Sequence, residues 1–256
     1  VQGLRAIAVV VVVLFHAGAP LPGGFVGVDV FFVISGFVIT LMLLREHDTR
    51  GGIRFGAFYW RRFKRLTPAL AVVVLFTALA GMLLLPFGRG TQEDAAYTGL
   101  GALALGANLV IPLVSGGYFD SVAEDNPFLH TWSLSVEEQF YLVLPATLAL
   151  AFALARRGSG RSALTAVLGA GFLASLGITL ATQAQLLPLT WPTGFFSPVT
   201  RSWEFAAGAL LALLLPRVVD AGPLRSSRAP RVLALVGLVL VVLSLVLIDG
   251  DTWFPG

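Results

Sequence analysis

The sequence predicts an all-α protein, a polytopic bundle of transmembrane helices with about seven spanning helices and one re-entrant element. Three observations carry this. Hydrophobic residues make up 57% of the 256 residues and charged residues only 12%, about half of the roughly 25% that a soluble domain carries. The apolar residues fall in runs of about 20, the length a helix needs to cross a bilayer. Of the 17 basic residues, 16 are arginine, and 14 of the 17 collect in three segments between those runs. Such a chain has too much apolar surface to be disordered. Its pI near 9.8 reflects membrane topology, so no nucleic-acid partner is expected. Cysteine is absent, which excludes disulfides, thiolate metal sites and a cysteine nucleophile. Three histidines make no His-rich cluster, and no metal is expected.

Spans are predicted over residues 4–21, 25–44, 66–87, 133–155, 163–181, 199–215 and 232–248. The first run, with Arg5, a valine-rich core and Ala17-Gly18-Ala19, has the outline of a secretory signal. A histidine in its core and a second apolar run directly after it favour a transmembrane hairpin. The three basic segments hold Arg45, Arg50, Arg54, Arg61, Arg62, Lys64 and Arg65; then Arg156, Arg157 and Arg161; then Arg217, Arg225, Arg228 and Arg231. The positive-inside rule places all three in the cytoplasm. The opposite loops hold Glu93, Asp94, Asp120, Glu124, Asp125, Asp249 and Asp251, with Arg89 as their clear base. This alternation requires that residues 97–114, rich in glycine and containing Asn108 and Pro112, do not cross. They are read as re-entrant or interfacial, a backbone the membrane tolerates where protein covers it. The chain starts without Met and closes just after a span, so a fragment of a longer protein is expected.

Ionisable residues inside apolar runs are costly and point to function. Arg5 and His16 stand eleven positions apart. On a helix that is three turns plus about 20°, so they share a face about 16 Å apart along the axis. A histidine at that depth can act as general base or as a carrier of a transferred group; its bland alternative is a neutral packing residue. Asp29 opens the second span. Reflection of the hairpin about Pro22 brings it within about a turn of His16's level, where a carboxylate could orient the imidazole. The bland alternative is an acid favouring the helix dipole. In the run Tyr59-Trp60-Arg61-Arg62-Phe63-Lys64-Arg65, Arg61 and Arg65, and Arg62 and Arg65, can share a helical face. Guanidinium forks there suit phosphates, against plain positive-inside anchoring.

Residues 130–141 join an acidic outer segment to the fourth span. Ser133 or Ser135 can cap its helix. His130, Glu137, Glu138 and Gln139 are more polarity than a cap needs. Arg201 and Glu204, three apart at the start of the sixth span, can neutralise one another. Two polar poles result: arginine-rich and cytoplasmic, carboxylate-rich and outer.

These segments resemble the acyltransferase 3 family. Gly3-Leu4-Arg5-Ala6 with His16 matches its Arg-x10-His motif, and Gly27-Val28-Asp29-Val30-Phe31-Phe32-Val33-Ile34-Ser35-Gly36-Phe37 is similar to its second-helix signature. Phe58-Tyr59-Trp60-Arg61-Arg62-Phe63-Lys64-Arg65-Leu66-Thr67-Pro68 resembles its cytoplasmic arginine motif. His130-Thr131-Trp132-Ser133-Leu134-Ser135-Val136-Glu137-Glu138-Gln139-Phe140-Tyr141 resembles a fourth block, and residues 197–208 a looser one. The resemblance implies a multi-pass protein of the bacterial cytoplasmic membrane. It moves an acyl group, often acetyl, from cytoplasmic acyl-CoA to a hydroxyl of an extracytoplasmic glycan or glycosylated acceptor. It implies His16 as catalytic residue, Arg5 as a donor-side contact, and Arg61, Arg62 and Arg65 as contacts for CoA phosphates. Asp29, Glu137 and Glu138 are the available carboxylate partners for His16, with Glu137 preferred. His130, Glu138, Arg201 and Glu204 are expected as polar groups on the acceptor side. Residues 1–256 would be one such transmembrane domain, incomplete at its C-terminal end against about ten core helices in the family. The rival readings are a flippase or transporter of a glycan precursor with His16 and the acids as a proton relay, and a non-catalytic scaffold held by its polar pairs.

Overall fold

The computed structural model describes residues 1–85, 91–117, 123, 125–155, 159–188, 193–220 and 229–249, and for 216–220 and 229 the backbone alone. Of the charges used for topology, Arg89, Asp120, Glu124, Arg156, Arg157, Arg225, Arg228, Asp251 and the side chain of Arg217 lie outside the described residues. Among the described residues the chain is helical, without strands, as its composition and periodicity predict. The helices are α1 (Gln2–His16), α2 (Gly27–Arg50), α3 (Phe55–Leu84), α4 (Thr91–Leu103), α5 (Ala107–Val114), α6 (Thr131–Leu154), α7 (Gly160–Gln183), α8 (Pro198–Asp220) and α9 (Ala229–Leu247). A 3-10 turn, Gly24–Val26, precedes α2.

Among the described residues, five helices are long and apolar enough to cross a membrane: α2 with its preceding turn, α3, α6, α7 and α9. Two predicted spans fall outside this set. At about 1.5 Å per residue, the 15 residues of α1 reach only about 22 Å of a roughly 30 Å core. Its end is set by Gly18, at φ 77°. The Ala19 N–H donates to Leu14 O and the Gly18 N–H to Phe15 O, the paired bonds that close a helix on a left-handed residue. The helix therefore ends on His16 instead of running to residue 21. The other is α8, 23 residues long but carrying Arg201 and Glu204 in its first two turns. Its start is fixed locally: Pro198 is the first helical residue, and the Ser197 hydroxyl accepts the Val199 N–H at 3.1 Å, a serine cap followed by a proline pre-set for the first turn.

Residues 97–114 contain no continuous helix. Helix α4 stops at Leu103, and the Gly106 N–H turns back to Gly101 O (2.7 Å) while the Leu105 N–H reaches Ala102 O (3.0 Å). Leu105 takes the left-handed position, φ 57°, which glycine fills more easily. Helix α5 then starts at Ala107, whose N–H is accepted by the Ser135 hydroxyl at 3.1 Å. With 13 and 8 residues, neither piece spans roughly 30 Å. This broken pair agrees with the non-crossing element that the charge alternation requires.

The described chain divides into two compact units, Val1–Arg45, Leu150–Ala174 and Ser202–Gly256 in the first, and Glu46–Ala149 with Ser175–Arg201 in the second. In the first, α1 and α2 form a hairpin. A Cβ on Gly24 would lie 2.4 Å from Phe15 Cβ, and one on Gly27 2.6 Å from Ala8 O. In the same unit α2 and α8 touch backbone to backbone. A Cβ on Gly36 would sit 2.0 Å from Phe205 O, and one on Gly208 1.9 Å from Val33 O. Small residues at a crossing bring membrane helices together where no hydrophobic force between them exists. Phe32 and Phe205 stack beside this crossing, centroids 4.4 Å apart.

In the second unit, Phe58, Ile111, Phe128, Trp132 and Leu148 are buried around a polar lattice. Asn108 Nδ2 donates to Gln139 Oε1 (3.3 Å) and Phe196 O (3.2 Å), and Gln139 Nε2 to Leu105 O (2.9 Å) and Asn108 Oδ1 (2.8 Å). Asn126 Nδ2 reaches Thr98 and Ser115. The freed carbonyl of the α4–α5 break is thereby satisfied inside protein, the condition for irregular backbone at membrane depth.

Candidate functional site

His16 is the last residue of α1. Its Nδ1 lies 2.8 Å from the Val12 carbonyl one turn back, and a carbonyl can only accept. Nδ1 therefore carries a proton, and in the neutral ring Nε2 then holds the lone pair that a general base needs. The ring stands edge-on to Phe15, centroids 5.1 Å apart. Arg5, at the other end of the same helix, is held by α2. Its Nη2 donates to the Ser35 hydroxyl at 3.3 Å, and its guanidinium carbon lies 4.7 Å from the Phe31 ring centre.

The register of this hairpin corrects the expected place of Asp29. Gly24 packs on Val11 and Phe15, Gly27 on Ala8 and Val12, and Ser35 and Phe31 on Arg5. Asp29 is therefore level with the middle of α1, about 12 Å along the axis from His16. The cause is the tight return: α1 stops early, and the chain folds back through a 3-10 turn beside residues 11–15 before α2 begins. Asp29 lies in the first turn of α2, where the helix dipole favours an acid. In this hairpin a backbone carbonyl, not Asp29, orients the imidazole at Nδ1.

The three arginines grouped by sequence separate. Arg61 lies 3.7 Å from Glu46, as do Arg50 at 3.5 Å and Arg54 at 3.4 Å. The Glu46 side chain is 9% exposed, while the three guanidinium-bearing side chains are each half or more exposed. Three cations around one carboxylate leave a net positive corner between α2 and α3 with donor forks open to an incoming anion. Arg65 is exposed one turn beyond Arg61. Arg62 points the other way, onto α6. Its Nε donates to Glu138 Oε1 (3.2 Å) and Oε2 (3.0 Å), and its Nη2 closes a second contact with Oε1. Its guanidinium carbon sits 3.7 Å over the Tyr141 ring.

This pair corrects the two-pole picture, which kept Arg62 cytoplasmic and Glu138 outer. They share one level. Tyr59 donating to Leu142 O at 2.8 Å sets the antiparallel register of α3 and α6. Thr131 then lies only about 20 Å from the level of Phe55, less than the thickness of a roughly 30 Å core. Pro145 in α6 cannot donate to Tyr141 O, and the Tyr59 hydroxyl bonds the next carbonyl of this weakened turn.

The remaining predicted residues divide by burial. Glu137 is 5% exposed and accepts the Tyr141 hydroxyl at 2.6 Å. His130 is exposed. Ser133 and Ser135 do not cap α6; their hydroxyls bond back to His130 O and Thr131 O. Arg201 is 2% exposed, with Nε donating to Phe195 O at 3.1 Å and its guanidinium carbon 4.1 Å from the Phe195 ring and 5.4 Å from Trp132. Arg201 is thus enclosed by aromatic rings and a backbone carbonyl. Glu204 is fully buried on α8, one turn before Gly208. Among the described residues no three His, Asp or Glu side chains gather as a metal would need.

Sequence reasoning passed over three residues: Glu46, Tyr141 and Ser35. Two had a local signal, since Glu46–Arg50 and Glu137–Tyr141 are each four apart and adjacent on a helix. Ser35 reaches Arg5 across a hairpin whose register no local pattern gives.

Long apolar helices with ionisable side chains buried among them define a polytopic helical membrane protein. The chain belongs to the acyltransferase 3 family, whose acyltransferase domain matches residues 1–255. It is 31% identical over 219 residues to the peptidoglycan O-acetyltransferase OatA of Listeria monocytogenes, covering 84% of this chain and 34% of that protein. It is 38% identical over 223 residues to a protein of Komagataeibacter xylinus provisionally named membrane-bound transacylase BcsY, covering 85% and 51%. It is 32% identical over 221 residues to YrhL of Bacillus subtilis, provisionally named a peptidoglycan O-acetyltransferase, covering 84% and 33%. The chain thus spans about a third to a half of the length of these relatives. No solved structure matches it.

Proposed function

We propose that the protein is an integral membrane O-acyltransferase of the bacterial cytoplasmic membrane. It takes an acyl group, acetyl in the simplest case, from cytoplasmic acyl-CoA and delivers it to a hydroxyl of an extracytoplasmic carbohydrate. The observation that carries this reading is the contact of His16 Nδ1 with the Val12 carbonyl at 2.8 Å, which in the neutral ring makes Nε2 the basic nitrogen. In the reaction Nε2 takes the proton of the acceptor hydroxyl, and the oxygen attacks the thioester carbonyl. The carbon–sulfur bond breaks, and the thiolate of CoA leaves and takes up the proton. Arg50, Arg54 and Arg61 suit the phosphates of the donor, because guanidinium forks match phosphate oxygens. Family membership and the O-acetyltransferase names of the relatives support the reaction class. The test is mass spectrometry of surface glycans from cells with and without the protein. An added acyl mass that depends on the protein is expected; identical glycans would reject the reading, and a missing or mislocated glycan would favour the flippase.

A further inference from the structure

Arg62 belongs by sequence to the cytoplasmic arginine motif, yet the fold gives it different work. Its fork is occupied by Glu138, bonded at both carboxylate oxygens. Its face covers Tyr141 at 3.7 Å. The Tyr141 hydroxyl in turn donates to Glu137 Oε1 at 2.6 Å. Four side chains from α3 and α6 thus form one chain of contacts, Glu138–Arg62–Tyr141–Glu137. The Arg62 side chain is 25% exposed, against 50% for Arg61.

The chemistry explains why the four occur together. Glu137 and Glu138 are neighbours on one helix, and two carboxylates that close repel one another strongly where water is scarce. A guanidinium bonded to one of them offsets that repulsion, and its planar face holds the phenol ring that directs the other. A lysine ammonium supplies charge but neither the planar fork nor the stack. A guanidinium used in this way has given its Nε–Nη2 edge to the carboxylate, so that edge is closed to a phosphate.

We infer that Arg62 and Tyr141 are positioning residues that set the two carboxylates of α6, and that Arg62 is not part of the donor-phosphate group formed by Arg50, Arg54 and Arg61. The inference rests on the acyl-transfer reading for its kinetic consequence, but its structural content is independent of it. The test uses the full-length protein in lipid nanodiscs. Three variants are compared: Arg62→Lys, Tyr141→Phe and Arg61→Lys. Isotope-edited infrared spectroscopy follows the Glu137 carboxylate band, assigned with Glu137→Gln, and steady-state kinetics give kcat and the KM for acetyl-CoA.

Tyr141→Phe keeps the ring under Arg62 and removes only the hydroxyl. It is expected to shift the Glu137 band and lower kcat by about tenfold or more while KM for acetyl-CoA stays within about twofold, the pattern of an interaction that acts on the chemical step. Arg62→Lys is expected to follow it, whereas Arg61→Lys raises KM and leaves the band in place. An Arg62→Lys variant with raised KM and unchanged kcat would return Arg62 to the phosphate group. An unmoved band in Tyr141→Phe would remove the positioning of Glu137 even if Arg62→Lys fails to fold. Should the wild-type protein transfer no acyl group at all, the acyl-transfer reading falls, and the band alone decides the inference: a shift sustains it and no shift rejects it.

Discussion

Replacing His16 separates chemistry from structure by magnitude. The side chain is exposed at the last position of α1, and its Nδ1 bonds Val12 O at 2.8 Å. A single bond of this kind at an exposed site is worth about 0.5–1.5 kcal/mol. The helix end itself is closed by the backbone bonds of Gly18 and Ala19, which a substitution at His16 leaves intact. The structural loss from this bond is therefore small. Catalytic loss is not, because removing a general base costs about 10²–10⁴ in rate, or about 2.7–5.4 kcal/mol of barrier at 1.36 kcal/mol per tenfold. Two replacements divide the imidazole. In His16→Asn the amide N–H₂ can keep the contact with Val12 O, and nothing stands at Nε2. In His16→Gln the amide reaches the Nε2 position but has no basic lone pair near neutral pH. Both are expected to keep protein level and acetyl-CoA binding, and to lose acyl transfer by at least about a hundredfold. The assay is transfer of labelled acetyl from acetyl-CoA to acceptor glycan, per mole of purified protein in nanodiscs. If His16 carries the acyl group covalently, label trapped on the wild-type histidine is the additional expectation. The reasoning is falsified if either variant keeps near-wild-type specific activity. Loss of abundance with activity per molecule intact would assign His16 to packing.

Topology is checked in this cysteine-free chain with single cysteines: Thr49→Cys is expected to label only from the cytoplasm and Asp125→Cys only from outside, and labelling of both from one side would refute the non-crossing role of residues 97–114. The triple variant Arg50→Lys, Arg54→Lys, Arg61→Lys keeps the charge that sets orientation but removes the forks; weaker acetyl-CoA binding by calorimetry, with unchanged cysteine labelling, is expected. Gly208→Ala places a Cβ 1.9 Å from Val33 O and 2.8 Å from Phe37 N, so α2 and α8 must part. A loss of about 1–3 kcal/mol, typical of overpacking, should appear as a lower thermal midpoint in detergent, and an unchanged midpoint would show that the crossing relaxes freely.

Helices, their apolar character and the shared face of Arg5 and His16 could be read from the sequence, because each depends on distances of three, four or eleven residues along one rod. The positive-inside charges likewise gave residues 97–114 as an element that does not cross, and the fold answers with two short helices and a left-handed break at Leu105. The early stop of α1 was legible in Gly18, though apolar content alone carried the predicted span past it. Partners on different helices were not legible. Arg61, Arg62 and Arg65 look alike in the chain, yet Arg61 turns to Glu46 and Arg62 to Glu138. Asp29 seemed level with His16 only while the hairpin was treated as two straight rods. Register between helices is decided where backbones touch, at Gly24, Gly27, Gly36 and Gly208, and a shift of one turn there moves every side-chain pairing by about 5.4 Å. Local periodicity holds no record of that contact, so the sequence by itself determined which residues could do chemistry, and tertiary packing decided which of them meet.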